Sequence, residues 1–220
     1  MDLNIPSFFE IKIKHKNCWT SFVPHDYNDI LLGYSYFGNC LKAIRVSKNY
    51  EKMEIKHLKN LFKNDSSVKN INVYNIDKFS SIISMNVDSD NTFLDRLIKQ
   101  SIYPLKSSVH CNNEEYIFML ENAKAKTLFS SFKDDHIKIN SIRNLKPEEV
   151  IPAISNFITD IYLTPREKNV IKIAIDNNFF NIPRGTTNTE LAKDFNISKM
   201  SMNIEIRKAT NKIMKKCFLK

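Results

Sequence analysis

Apolar and polar residues alternate along several short segments of residues 1–146, and segments with helical spacing lie between them. A period of two is typical of a half-buried strand, and a period near 3.6 is typical of an amphipathic helix. The alternating segments predict strands at 9–14, 30–37, 41–46, 70–76, 80–87 and 136–142, and a hairpin over 102–119. The helical spacing predicts helices at 52–62, 92–99 and 123–132.

Hairpins interleaved with single helices predict an α+β sandwich over residues 1–146, built from one or two ferredoxin-like or ACT-like units. By analogy with such folds we expect a sensory or regulatory domain. Residues 147–162 predict a linker helix, because Glu148 and Glu149 lie in its first turn, where the helix dipole favours acids. Pro152 could end or kink this helix, which is either a lever between two domains or a passive spacer.

From residue 163 onwards the pattern becomes purely helical. Thr164 and Glu167 form a predicted capping box, and Pro165 occupies the first helical position, where its missing N–H costs nothing. The apolar face that follows consists of Val170, Ile171, Ala174 and Ile175. The helix should end near residues 177–178, because asparagine tolerates a left-handed conformation, and Phe179, Phe180 and Ile182 are expected to pack after it.

A second capping box, formed by Thr187 and Glu190, predicts a short helix. Residues 196–198 form the turn after it, with Ser198 as the next N-cap, and a longer helix follows over 199–218. The predicted core stripe of that helix is Met202, Ile206, Ala209, Ile213 and Cys217. A short helix, a tight turn and a longer amphipathic helix predict an all-α helix-turn-helix domain over residues 163–220.

The face opposite the core stripe is the predicted DNA-binding surface. Its residues are Ser198, Lys199, Met200, Ser201, Asn203, Ile204, Arg207 and Lys208, with Arg184 and Thr187 from the preceding segment. Asn203 can pair with adenine, and Arg207 can contact guanine or a phosphate. Met200 and Ile204 can contact thymine methyl groups, or instead the N-terminal domain or a dimer partner. The set favours A·T-rich sites.

The distribution of charge supports a DNA-binding surface, because the excess of basic residues lies in the same segment. Residues 164–220 contain 12 Lys+Arg against 5 Asp+Glu, whereas residues 1–163 contain 21 against 19. A basic excess confined to one segment is typical of a site for a polyanion. A solvated surface on a lysine-rich protein is the other explanation.

The same segment resembles the helix-turn-helix domain of the archaeal bacterio-opsin activator family. The matching positions are 163–167, Ala174, Phe179-Phe180, Pro183-Arg184, 187–192, Ile197-Ser198 and 207–209, about a quarter of the chain. The resemblance implies a transcription regulator with a variable sensory domain before its DNA-binding domain. Met200-Ser201 and Ile204-Glu205 depart from the usual family residues, so the resemblance does not supply this protein's target sequence. A similarity to sigma-factor region 4 implies the alternative, a basal factor or adaptor that contacts the transcription machinery.

Other function classes find little support in the sequence. The four cysteines form no C-x-x-C, and the three glycines cannot form the phosphate-binding loops G-x-G-x-x-G or G-x-x-x-x-G-K-[ST]. No G-x-S-x-G or H-E-x-x-H is present, which counts against the common enzyme classes. We therefore predict that the protein is not an enzyme and that it needs no cofactor. The chain also lacks a long apolar run and a secretory signal pattern, so we expect a cytoplasmic protein with no membrane association.

The N-terminal region holds one candidate for ligand chemistry, the segment that contains His15, Cys18 and Trp19. A similar H-x-x-C-W segment begins some members of the family. Ordinary packing is the favoured interpretation; an effector pocket around Trp19 and a metal or redox site completed by His110 and Cys111 are the alternatives. The sequence by itself therefore predicts no metal site.

Two acidic pairs, Glu114-Glu115 and Asp134-Asp135, are expected to be solvated charges in turns. The expected partners are double-stranded DNA with A·T-rich promoter sites, a second copy of the chain in a homodimer, and a small-molecule effector.

Overall fold

The computed structural model describes residues 6–16, 18–23, 27–48, 60, 62, 66–76, 80–132 and 136–218. The chain divides into two compact units, Met1–Ser155 and Asn156–Lys220. Asp134-Asp135 and all of the predicted helix 52–62 except Asn60 and Phe62 lie outside the described residues.

Within the described ranges of the first unit, eight strands form one antiparallel sheet. They are β1 (Pro6–His15), β2 (Asn28–Phe37), β3 (Cys40–Lys48), β4 (Val68–Asn75), β5 (Ser80–Asp88), β6 (Pro104–His110), β7 (Asn113–Glu121) and β8 (Ile137–Leu145). The strand predictions are therefore confirmed to within a few residues. The α+β fold followed by a helical domain is confirmed as well.

The strands lie in the order β4-β5-β3-β2-β6-β7-β1-β8. The half-sheet β6-β7-β1-β8, numbered along the chain, has the order second, third, first, fourth, which is the order of a ferredoxin-like unit. Strand β1 lies between β7 and β8, although these strands follow it by about a hundred residues. The two ends of the N-terminal unit are thus joined within one sheet.

Two helices, α1 (Phe93–Lys99) and α2 (Asn122–Ser131), contribute apolar residues to the main core. Strands β1 and β5 contribute residues from alternate positions, as the period of two predicts. The fully buried side chains of this core include Ile11, Ile13, Ile83, Met85, Phe93, Leu97, Phe118 and Phe132.

A further helix, α3 (Pro147–Tyr162), continues through Pro152 without interruption. Val150 and Ala153 pack with Ile117 of β7 and Leu145 of β8 in a second small core. Tyr116 and Phe118 belong to the main core, so Ile117 points to the other face of the sheet.

The second unit contains α4 (Pro165–Asp176), α5 (Asn188–Asp194) and α6 (Lys199–Phe218). Its core consists of Val170, Ala174, Phe179, Leu191, Ala192, Met202 and Ile206. Three expectations for core residues were wrong: Ile175, Phe180 and Ile182 are exposed, with Ile182 at 99%. Only a narrow apolar stripe of α4, which includes Val170 and Ala174, is buried against the other helices of this unit. The chain turns away from the core after Phe179. In the described part of the chain, no helix is long and apolar enough to cross a membrane.

Candidate nucleic-acid interface

Helix α4 begins and ends as its sequence predicts. The Thr164 hydroxyl accepts from the Glu167 amide at 3.2 Å, and the Glu167 carboxylate accepts from the Thr164 amide at 2.9 Å. At the other end Asn178 is left-handed, with φ 56°. Its amide donates to the Ile175 carbonyl at 2.9 Å, and the Phe179 amide donates to the Ala174 carbonyl at 2.8 Å. This pair of bonds is a Schellman motif, which directs Phe179 back into the core.

The loop after α4 is held against the helix end at Gly185. The Gly185 amide donates to the Asn178 carbonyl at 2.9 Å. A Cβ atom at this position would lie 2.8 Å from the Cβ of Asn178 and 3.0 Å from the Asn177 carbonyl oxygen. The close approach therefore requires glycine.

This loop also positions Arg184. Its guanidinium lies 4.9 Å from the centre of the Phe179 ring. Cation–π contact with a buried ring restricts a long, exposed side chain to a small region. Arg184 is thereby placed on the surface of the helix-turn-helix unit.

The turn between α5 and α6 repeats the same devices. Thr187 and Glu190 form the second predicted capping box. Asn196 is left-handed, with φ 50°, and Ile197 donates to the Ala192 carbonyl at 3.1 Å, completing another Schellman motif with the bond from Asn196 to Lys193. The Ser198 hydroxyl then accepts from the Ser201 amide at 3.0 Å and caps α6. The predicted turn and N-cap are confirmed.

Helix α6 divides into a buried and an exposed face. Met202, Ile206 and Ala209 are buried and Ile213 is half-buried, while the side chain of Cys217 lies outside the described residues. The predicted DNA-binding residues are exposed: Arg184, Thr187, Ser198, Lys199, Met200, Ser201, Asn203, Ile204, Arg207 and Lys208. The hydroxyls of Thr187 and Ser198 already cap helices, so these two residues also have a structural role.

A groove of about 570 Å³ runs along part of the exposed face. It brings Arg184 from the loop together with Asn203 and Arg207 from α6, whereas Lys199, Met200 and Lys208 do not line it. Asn211 and Met214 also line the groove. The sequence interpretation missed these two residues, although they continue the helical spacing from Asn203 and Arg207.

One ion pair fixes α4 against α6. The Lys212 ammonium lies 2.6 Å and 2.7 Å from the two carboxylate oxygens of Glu167. Burial by itself raises the pKa of Glu167, but Lys212 and the Thr164 backbone amide lower it below its ordinary value. The pair holds the long helix in place behind its exposed face.

In the N-terminal unit the H-x-x-C-W segment is buried. His15 ends β1, and Cys18 and Trp19 open a 3₁₀ turn next to it. The Trp19 ring contacts Phe62 at 5.5 Å between ring centres and lies under the Arg45 guanidinium at 5.2 Å. Trp19 is thus a packed core residue.

Glu114 lies beside this segment, and the expectation that it is a solvated charge was wrong. It is only 4% exposed, because β7 pairs with β1 in a register that sets Glu114 opposite Ile13. Its carboxylate accepts from the Thr20 hydroxyl at 2.9 Å and from the Tyr116 hydroxyl at 2.6 Å. Burial raises the pKa of Glu114, but His15 and these two hydroxyls lower it below the ordinary value.

Glu115 is not a solvated charge either. Its carboxylate lies 2.6 Å from the ammonium of Lys106 and 3.2 Å from that of Lys12. Burial raises its pKa, and the two lysines lower it below the ordinary value. Both glutamates therefore belong to the sheet and not to the turn before it.

His110 and Cys111 lie at the turn between β6 and β7. His110 contacts the side-chain oxygen of Asn28, and the Cys111 sulfur lies 3.2 Å from the His110 ring nitrogen Nε2. In the described ranges, the one group of three potential metal ligands consists of His15, Cys18 and Glu114. The pair His110 and Cys111 does not complete it.

A small cavity of about 20 Å³ adjoins Cys18, Trp19 and Glu114. A space of this size holds about one water molecule. An organic effector at Trp19 would require the surrounding side chains to move.

Comparison with known proteins bears on the C-terminal unit. Two capped helices and the turn between them, with a basic and polar exposed face, define a helix-turn-helix DNA-binding domain. Residues 163–215 match the family model described as an HTH DNA binding domain. The domain is of the bacterio-opsin activator type, which confirms the resemblance found in the sequence. No curated protein matches the chain.

Proposed function

We propose that the protein is a sequence-specific transcription regulator that binds double-stranded DNA through α6. The N-terminal unit receives a signal or mediates dimerisation. The observation that carries the proposal is the separation of faces on α6: a buried apolar stripe lies opposite an exposed face with Asn203, Arg207 and Lys208.

In a major groove, the first turns of a recognition helix meet base edges, and basic residues around them meet phosphates. Asn203 is assigned to adenine, and Met200 and Ile204 to thymine methyl groups, which favours A·T-rich promoter sites. Lys208 and Arg184 are assigned to phosphates. A homodimer would read two half-sites about 34–36 Å apart.

A fluorescence-anisotropy titration tests this proposal with labelled A·T-rich promoter fragments and with random DNA of the same length. We expect tighter binding to one or more promoter fragments. The logarithm of the association constant should fall with the logarithm of salt by about 0.9 for each phosphate contacted. Absence of binding at low salt, or equal binding to random DNA, would contradict sequence-specific regulation.

Two variants separate the assigned roles. Asn203→Ala should reduce the preference for the target by about 1–3 kcal/mol while random DNA still binds, because it removes a base contact. Lys208→Ala should weaken target and random DNA alike and reduce the salt slope by about one. Lys215→Ala is the matched control, because Lys215 is also exposed on α6 but lies beyond the predicted base-reading residues. Equal effects of Asn203→Ala and Lys208→Ala would refute the assignment.

A second candidate function is an adaptor that uses this domain to contact the transcription machinery. Phe180 and Ile182 favour it, because both are exposed apolar residues on the DNA-binding domain. Capture of purified RNA polymerase without DNA, lost in the double variant Phe180→Ser with Ile182→Ser, would support this role.

A further inference from the structure

We propose that His15, Cys18 and Glu114 bind one divalent transition-metal ion, with Zn²⁺ as the ion that fits best. The site lies in the N-terminal unit and does not depend on DNA binding by the other unit. All three side chains are at least 95% buried. Strand β1 supplies His15, the turn after it supplies Cys18, and β7 supplies Glu114.

The separations between the three donor atoms suit a common metal. One ligand atom from each residue lies within 4.8 Å of the other two. Tetrahedral Zn²⁺ has bonds of about 2.0–2.3 Å, so its ligand atoms lie roughly 3.3–3.8 Å apart. His15 Nδ1 and Glu114 Oε1 are already 3.6 Å apart. That distance is too long for a hydrogen bond and fits two ligands of one ion.

The imidazole of His15 gives an independent indication. Its Nδ1 atom is buried and has no hydrogen-bond partner among the residues that the structure describes. Buried polar atoms are nearly always satisfied, and an exception needs an explanation. A metal ion between His15 and Glu114 would satisfy Nδ1 where a direct hydrogen bond does not.

The surroundings resemble the second layer of a metal site. The hydroxyls of Thr20 and Tyr116 donate to the two oxygens of Glu114 and fix the orientation of its carboxylate. The cavity of about 20 Å³ adjoins Cys18 and Glu114 but not His15, and it has room for one water molecule. Three protein ligands and one water are a common arrangement around zinc.

The chemistry of the donors selects the metal. Thiolate and imidazole favour zinc over magnesium and calcium, which prefer oxygen ligands. On binding, the Cys18 thiol forms a sulfur–metal bond and releases its proton to solvent. Two negative ligands and a neutral imidazole then neutralise a divalent ion, so the buried site carries no net charge. A direct contact between His15 and Glu114 without a metal ion is the competing arrangement.

The test is a titration of the metal-free full-length protein with Co²⁺, which stands in for Zn²⁺ and gives a thiolate-to-cobalt charge-transfer band. We expect the band to saturate at one equivalent and to disappear when Zn²⁺ is added. Cys18→Ser should lose the band. Cys111→Ser is the matched control and should keep it, because that cysteine lies next to a histidine but outside the cluster.

Glu114→Gln should weaken Co²⁺ binding at least tenfold while circular dichroism shows an unchanged fold, since the amide oxygen can accept from one of the two hydroxyls and the amide nitrogen can donate to the other. Zn²⁺ should also raise the melting temperature of the wild type and of Cys111→Ser. Co²⁺ binding without a thiolate band, a band that depends on Cys111, or no metal effect on the wild type would each overturn the proposal. The wild-type titration decides even if Cys18→Ser does not fold.

Discussion

At the scale of single residues, Gly185 shows how one missing methyl group shapes the DNA-binding domain. It is not needed for a left-handed backbone; it is needed because the loop lies directly on the end of α4. The position of Arg184 depends on that contact, since Arg184 immediately precedes the glycine. A small residue outside the predicted DNA-binding set therefore influences the DNA-binding surface.

Gly185→Ala should lower the free energy of unfolding by about 1–3 kcal/mol, because the new Cβ overlaps Asn178 and forces the loop away. Urea denaturation followed by circular dichroism measures the change. Gly33→Ala is the control, because a Cβ there meets no atom within 4 Å. A loss for Gly185→Ala no larger than for Gly33→Ala would mean that the loop relaxes freely.

At the scale of elements, Glu167 has two tasks at once. It completes the cap at the start of α4 and holds Lys212 of α6, 45 residues further along the chain. The first role can be predicted from the local sequence Thr-x-x-Glu, which is typical of a capping box. The second depends on how two helices pack, and no local pattern indicates it.

The Glu167 carboxylate should make stability depend on pH. Its pKa is lower in the folded protein than in the unfolded chain, so its contribution is fully present above the ordinary glutamate pKa of about 4.3 and is lost as pH falls through the lowered pKa of the folded state. Glu167→Gln should therefore cost about 1–3 kcal/mol at pH 7, and the gap to the wild type should narrow at acid pH.

Denaturation curves at pH 7 and near pH 3 measure this gap. Glu148→Gln, at an exposed position in the first turn of α3, provides the comparison and should differ little from the wild type at either pH. A gap for Glu167→Gln that stays constant with pH would show that packing, and not charge, explains the loss.

The elements also show which features sequence can predict. The caps and turns were predictable because Thr-x-x-Glu, Asn and Pro act on their immediate neighbours. The positions of the strands followed from their period of two. The burial of Glu114 was missed because it depends on pairing with β1, about a hundred residues away. Phe180 and Ile182 were misplaced because hydropathy does not reveal where the chain leaves the core.

At the scale of the whole molecule, strand order was not predictable beyond the ferredoxin-like pattern. The hairpin β6–β7 followed from the sequence, but the pairing of β6 with β2 did not. Because β1 lies between β7 and β8, the first strand of the unit pairs with its last strand. Folding of this unit therefore depends on contacts that are distant in sequence.

Removal of residues 1–16 should abolish cooperative folding of the N-terminal unit. It would leave β7 and β8 without their shared neighbour and remove Ile11 and Ile13, which are fully buried. Loss of the strand signal in far-ultraviolet circular dichroism measures the effect. A shortened chain without β1 that still unfolds cooperatively would contradict the prediction.

The left-handed residues have a consequence for the unfolded chain. Among the described residues, Gly38 is the one glycine in this conformation, whereas Ser101, Cys111, Asn112, Asn178 and Asn196 adopt it without the freedom of glycine. Each such residue costs some strain in the folded state, but it samples fewer conformations than glycine when unfolded. Less chain entropy is therefore lost when the turns form. The two asparagines that end α4 and α5 thus favour the helix-turn-helix arrangement partly by limiting the alternatives to it.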